Sequence, residues 1–104
     1  MSETNMTIDD WRAEIDSIDE ELLRLLNRRA QLAAKVAALK AAQRTPLRDA
    51  ERERAVLERA RCAVLSPLDE AGVSRIFQRI LMESRRVQSR VMAEAKGTRR
   101  AKGE

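Results

Sequence analysis

Residues 8–42, IDDWRAEIDSIDEELLRLLNRRAQLAAKVAALKAA, decide how this chain folds. Apolar residues recur there as Ile8, Trp11, Ile15, Ile18, Leu22, Leu25, Leu32, Val36 and Leu39, at spacings that alternate three and four. That is the period of one face of an α-helix. Thr7 stands where an N-cap is needed. The pattern holds to about Ala42 and predicts one helix of about 34 residues, about 50 Å long. A compact monomer of this size would span only about 33 Å, from a radius of gyration near 13 Å. The helix outruns its own domain, so covering its stripe calls for a second chain, and a two-fold dimer is the simplest closed arrangement.

Composition agrees with long amphipathic helices. Of 104 residues, 37% are charged and 43% apolar, with one Phe, one Trp, no Tyr and three Gly, which disfavours strands. The 21 Lys and Arg outnumber the 17 Asp and Glu, for a formal charge of +4, much of it at the far C-terminus. An anionic partner fits that balance, but nucleic acid is not the expected one. With no His, imidazole catalysis and the commonest metal sites are excluded, and no cofactor is expected. Cys62 stands alone, which excludes an internal disulfide and suits a reducing cytosol. No stretch reads as a signal peptide or a membrane span, so the sequence reads as cytoplasmic.

Beyond Ala42 the stretch Gln43-Arg44-Thr45-Pro46-Leu47 predicts a loop, because Pro disfavours helix in the residue before it. A second helix is expected from about Asp49 to Leu65, with Val56, Leu57, Ala60 and Val64 on one side. Ser66-Pro67-Leu68-Asp69 reads as a cap, a Pro at the first position and an acid at the third, opening a third helix. Its stripe is Val73, Ile76, Phe77, Ile80, Val87 and Val91. The expected organisation is a flexible leader over 1–6, one helical domain over 7–94, and a basic, disordered tail over 95–104 with little apolar content to bury. The fold class is therefore all-α, one long and two shorter helices per chain.

The informative residues interrupt these stripes, since a buried unpaired charge is strongly unfavourable. Arg29 falls where an apolar residue is due between Leu25 and Leu32, and Lys40 lies about 20° from it around the same helix. On the second helix Glu53 projects between Val56 and Leu57, with Asp49 one turn earlier. On the third, Ser84 sits within the stripe and Gln88 at its edge. Each has a structural reading. Arg29 can pair with Glu53, and Ser84 can bond its own backbone. Arg12 and Arg52 lie at stripe edges, where arginines are ordinarily solvated, Cys62 reads as a small packing residue, and Trp11 as a core or interface anchor. Inward polar groups on all three helices together favour a ligand.

As a set these residues resemble the all-helical class of chorismate mutases, from about Asp10 to Gln88. The likeness is carried by Trp11-Arg12-Ala13-Glu14-Ile15-Asp16-Ser17-Ile18-Asp19, Leu25-Leu26-Asn27-Arg28-Arg29, Lys40, Pro46-Leu47-Arg48-Asp49-Ala50-Glu51-Arg52-Glu53-Arg54, and Ile76-Phe77 leading to Glu83-Ser84. Pro-x-Arg-Asp-x-x-Arg-Glu, preceded by an inward Arg and Lys, is more specific than any one piece. The resemblance implies an intertwined homodimer that isomerises chorismate to prephenate on the way to phenylalanine and tyrosine. It places Arg29, Lys40, Arg52 and Gln88 around a pocket, with Arg12 of the partner subunit entering it, and Asp49, Glu53 and Ser84 filling the remaining positions. Spacing supports the swap, since 17 residues of helix put Arg12 about 25 Å from Arg29.

The implied chemistry is pericyclic and moves no proton. Arg12 and Arg29 would clamp carboxylates bidentately. Lys40 and Gln88 would stabilise charge growing on the ether oxygen. Glu53 would accept from the substrate hydroxyl, Asp49 and Arg52 would order the pocket, and Ser84 would add a supporting contact. The tail beyond about Arg90 departs from the family pattern, and the loop after the second helix is short. Members fused to prephenate dehydratase make association with another shikimate-pathway enzyme an open possibility. Two rivals remain at this point: an isochorismate pyruvate-lyase, against which Glu53 speaks, and a non-enzymatic helical dimer that binds through its basic tail.

Overall fold

The computed structural model describes residues 5–103, with side chains as far as residue 98. The described residues form three helices, α1 (Ile8–Gln43), α2 (Ala50–Ala63) and α3 (Glu70–Gly103), and no strand. The chain divides into two compact units between Gln31 and Leu32, a point that falls within α1.

The first unit holds the opening of α1. Thr7 caps it as expected: its Oγ1 accepts from the Asp10 amide at 3.1 Å, and Asp10 Oδ2 accepts from the Thr7 amide at 2.9 Å. The backbone bond to Thr7, and then the one to its hydroxyl, hold the Asp10 carboxyl below its ordinary value. A carboxyl lowered by folding stabilises above the ordinary carboxylate range, and the benefit fades as pH falls through the lowered value. Every large apolar side chain from Ile8 to Leu26 is at least 40% exposed, Trp11 included. Of the expected leader, residues 1–4 lie outside the described residues.

The second unit joins the end of α1 to α2 and α3. Here the buried side of α1 is its alanine side, Ala37 and Ala41, with Ala33 and Ala34 half-buried. The larger Leu32, Val36 and Leu39 of the predicted stripe are 45–59% exposed. The helix ends in a Schellman motif, in which the Thr45 amide donates to the Lys40 carbonyl at 2.9 Å and the Arg44 amide to that of Ala41 at 3.2 Å. The motif puts Arg44 in the left-handed region at φ 55°, where glycine is at home. Arg44→Gly is therefore expected to stabilise the fold by about 1 kcal/mol, a rise of about 5 °C in Tm by calorimetry at fixed protein concentration. An unchanged or lower Tm would contradict it.

Asp49 caps α2, Oδ1 accepting from the Arg52 amide at 3.0 Å. Its carboxylate is thus turned to the helix's open amides rather than inward as expected, because a helix start leaves those donors unpaired. The helix closes at Ala63, two residues before the expected end, with Val64 extended. Ser66-Pro67-Leu68-Asp69 does not open α3. It forms a turn with a cis Ser66–Pro67 bond, and Asp69 caps a helix that begins at Glu70, accepting from the Gly72 amide at 2.7 Å. A carboxylate interacts more strongly with the positive end of a helix than the Ser hydroxyl does.

α3 runs on to Gly103 through the segment expected to be disordered, so it rivals α1 in length. Ala93, Glu94, Ala95 and Lys96 are strong helix formers with no Pro among them, and extending a helix needs no new nucleus. Absent apolar residues remove packing, not helicity. Glu104 lies outside the described residues. α2 packs against α3, with Val56, Val73 and Leu81 buried. Leu81 was not in the predicted stripe, whereas Ile76, which was, is 49% exposed. The buried face of α3 is rotated toward Leu81, along which Arg85, Gln88 and Met92 follow at helical spacing. Cys62, expected to pack, is exposed, and its hydrogen bond to Glu58 pushes the thiol pKa up.

Candidate active site

Six of the eight predicted site residues belong to the second unit, and Lys40 is the best defined of them. It lies in the last turn of α1, where a cation is favoured by the helix dipole. The Schellman turn brings the following loop back along the helix, and Lys40 Nζ donates to the Leu47 carbonyl at 3.2 Å in a part-buried setting. An ammonium carries three donors. The loop therefore aims the group while leaving it capacity for a ligand.

Gln88 approaches the same stretch of α1 from α3. Its Nε2 donates to the Ala33 carbonyl at 3.2 Å, also part-buried. Ala33 and Lys40 lie seven residues apart, within about 20° of each other around the helix. The amide and the ammonium are thus anchored on one side of α1. Ala33, Ala37 and Ala41 recur at four-residue intervals on α1, Ala33 half-buried and the other two buried.

Glu53 is half-buried on α2, its side chain 22% exposed. Its partner is Arg85 of α3, whose Nη1 donates to Oε1 at 2.6 Å. Sequence reasoning named Arg29 as the structural partner and missed Arg85. Arg85 lies off the row of Val73, Ile80, Val87 and Val91 that the spacing singles out, so periodicity carried no signal for it. Asp49 and Arg52 are exposed at the start of α2, and their described link is the capping bond. Ser84 is half-buried and engaged in at least one interaction.

Arg12 and Arg29 belong to the first unit. Arg12 is exposed, its side chain 72% accessible, with Asp9 Oδ1 at 4.0 Å. An exposed pair at that distance contributes little. Arg29 is half-buried and has an interaction of its own. Two open grooves of the chain lie elsewhere, one lined by Met82, Glu83, Arg85, Arg86, Ser89 and Arg90, the other by Met6, Asp10, Ala13, Glu14, Ser17 and Ile18. Arg85 lines the first of these grooves and also bonds Glu53.

Comparison with known proteins bears on the family and the fold. The sequence profile of the family described as Chorismate mutase type II matches residues 11–89. A bifunctional chorismate mutase/prephenate dehydratase of Aquifex aeolicus is 50% identical over 48 residues, covering 46% of this chain and 13% of that protein. The one from Enterobacter agglomerans is 42% identical over 76 residues, covering 70% of this chain and 19% of its own length. The chain thus spans less than a fifth of these curated relatives. Among solved structures, a chorismate mutase from Helicobacter pylori in complex with prephenate superposes with a TM-score of 0.76 at 30% identity, over 84% of this chain and 94% of that one.

Proposed function

Because the chain belongs to the type II chorismate mutase family, we propose that it isomerises chorismate to prephenate in sites shared between two copies of itself. The observation that carries this reading is that Lys40 and Gln88 are both half-buried donors held by backbone carbonyls, Lys40 by that of Leu47 in the loop and Gln88 by that of Ala33 on α1. Prephenate in the Helicobacter pylori structure supplies the ligand class.

The reaction breaks a C–O bond while a C–C bond forms, so negative charge grows on the ether oxygen and no proton need move. Fixed donors aimed at that oxygen stabilise the transition state more than the ground state. Lys40 and Gln88 are those donors. Arg29 and Arg12 of the partner subunit grip the two carboxylates, a task for which the planar guanidinium is suited. Their grip selects the folded conformer in which the reacting carbons meet. Glu53 accepts from the ring hydroxyl. Asp49 acts through its cap, fixing the turn of α2 that carries Arg52 and Glu53, and Ser84 adds a supporting contact.

A second copy is part of the proposal. Trp11, Ile15, Ile18, Leu22 and Leu25 are 40–58% exposed, an apolar row that a homodimer partner would cover. No described helix is long and apolar enough to cross a membrane. A cytoplasmic setting is supported by the lone Cys62, and association with a further shikimate-pathway enzyme has its precedent in the bifunctional relatives.

The pure protein incubated with chorismate is expected to yield prephenate, identified by NMR. Release of pyruvate from isochorismate, with chorismate untouched, would instead establish the lyase reading. Inertness toward both, joined to salt-dependent nucleic-acid binding, would leave a binding dimer.

A further inference from the structure

We infer that Arg85 is a positioning residue that aims Glu53 at the substrate hydroxyl and so sets the preference for a hydroxylated ring. The inference rests on the role proposed for Glu53 above. Its starting point is a contrast among the ion pairs. Those of Arg12, Arg24, Arg61, Arg79 and Arg86 each join residues three or four apart on one helix. Such exposed pairs are worth little. Arg85 and Glu53 instead join α3 to α2 across 32 residues, and Glu53 is the most covered of the paired carboxylates, at 22% exposed.

The contact is a single one, Nη1 to Oε1 at 2.6 Å. It leaves Oε2 to accept from a ligand, since a carboxylate offers two oxygens. A Glu side chain has three torsions, and holding its carboxylate in one pose costs rotamer entropy that a ligand would otherwise have to supply. Arg85, whose planar guanidinium is 41% exposed and bonded to Glu53, supplies part of that order beforehand. Charge gives a second reason. An acceptor carboxylate set beside a doubly anionic guest repels it, and a guanidinium against that carboxylate offsets the repulsion. Arg85 therefore lets the site keep a hydroxyl acceptor without losing the dianion. A site built to bond a hydroxyl rejects the analogue that lacks it, so the clamp governs selection as well as affinity.

The test compares kcat and KM for chorismate and for an analogue with hydrogen in place of the ring hydroxyl. Wild type, Glu53→Gln, Arg85→Met and Arg85→Lys are measured, with helicity followed by circular dichroism. Wild type should favour chorismate. Arg85→Met should lose about tenfold of that preference, the scale of one charge-assisted hydrogen bond, with the loss in KM for chorismate. Arg85→Lys should recover part of it, and adding Arg85→Met to Glu53→Gln should change the preference no further. Should Arg85→Met fail to fold, Arg85→Gln replaces it with the same expectation. A folded neutral variant with wild-type preference overturns the inference, for a mere tie between helices would alter Tm and not selection. A wild type inert toward chorismate overturns the proposed function too. Preserved preference in Glu53→Gln, with an active wild type, overturns the role of Glu53 and the inference with it, while the proposed isomerisation stands.

Discussion

Lys40→Ala keeps its helices and loses about two to three orders of magnitude in kcat, the scale of removing one preorganised oxyanion donor, about 3 to 4 kcal/mol. The size follows from where the ammonium sits. It is half-buried and oriented by the Leu47 carbonyl, and in the role proposed for it the group faces charge that exists only as the C–O bond breaks. An interaction made only in the transition state lowers kcat and kcat/KM together. Alanine is compatible with the last turn of α1, and the Schellman bonds use backbone atoms alone, so the fold should survive. Stopped-flow or steady-state loss of chorismate absorbance, with circular dichroism as control, decides the matter. Turnover within a few-fold of wild type would remove Lys40 from the mechanism.

Mixing two inactive chains, Arg12→Ala and Lys40→Ala, should restore about a quarter of wild-type activity after complete subunit exchange at equal amounts. With random pairing, half of the dimers are mixed, and each mixed dimer has one site with both residues intact and one with neither. The prediction depends on Arg12 acting across the interface. Were it to serve its own chain, each mixed dimer would hold two singly defective sites and activity would stay at the level of the parents. Native mass spectrometry of the mixture verifies exchange, so absent rescue with exchange verified counts directly against a shared site.

Much of the architecture is legible from single residues. Thr7 marks one helix start, Asp49 another, and Pro46 the intervening loop, because capping and proline geometry act locally. The start of α3 is less legible, since Ser66 and Asp69 are both competent caps and only the surroundings choose between them. Its far end is missed for a different reason, helix continuation being independent of the apolar content used to judge order. Arg85 escapes because α3 presents two adjacent apolar rows, and sequence alone does not say which one meets α2. Of the six candidate site residues of the second unit, Lys40, Gln88 and Glu53 reveal through their side-chain bonds how they are held, whereas Arg52 is exposed. Asp49 turns out to serve a backbone end.

The buried alanines at 37 and 41 carry a consequence for how closely the end of α1 is packed. Helices faced with methyl groups approach to about 8 Å, while bulkier contacts hold them nearer 10 Å. The fit of the end of α1 within the second unit is therefore gauged by methyl groups, and a bulkier side chain at either position would push its neighbours outward without touching a group proposed to meet the substrate.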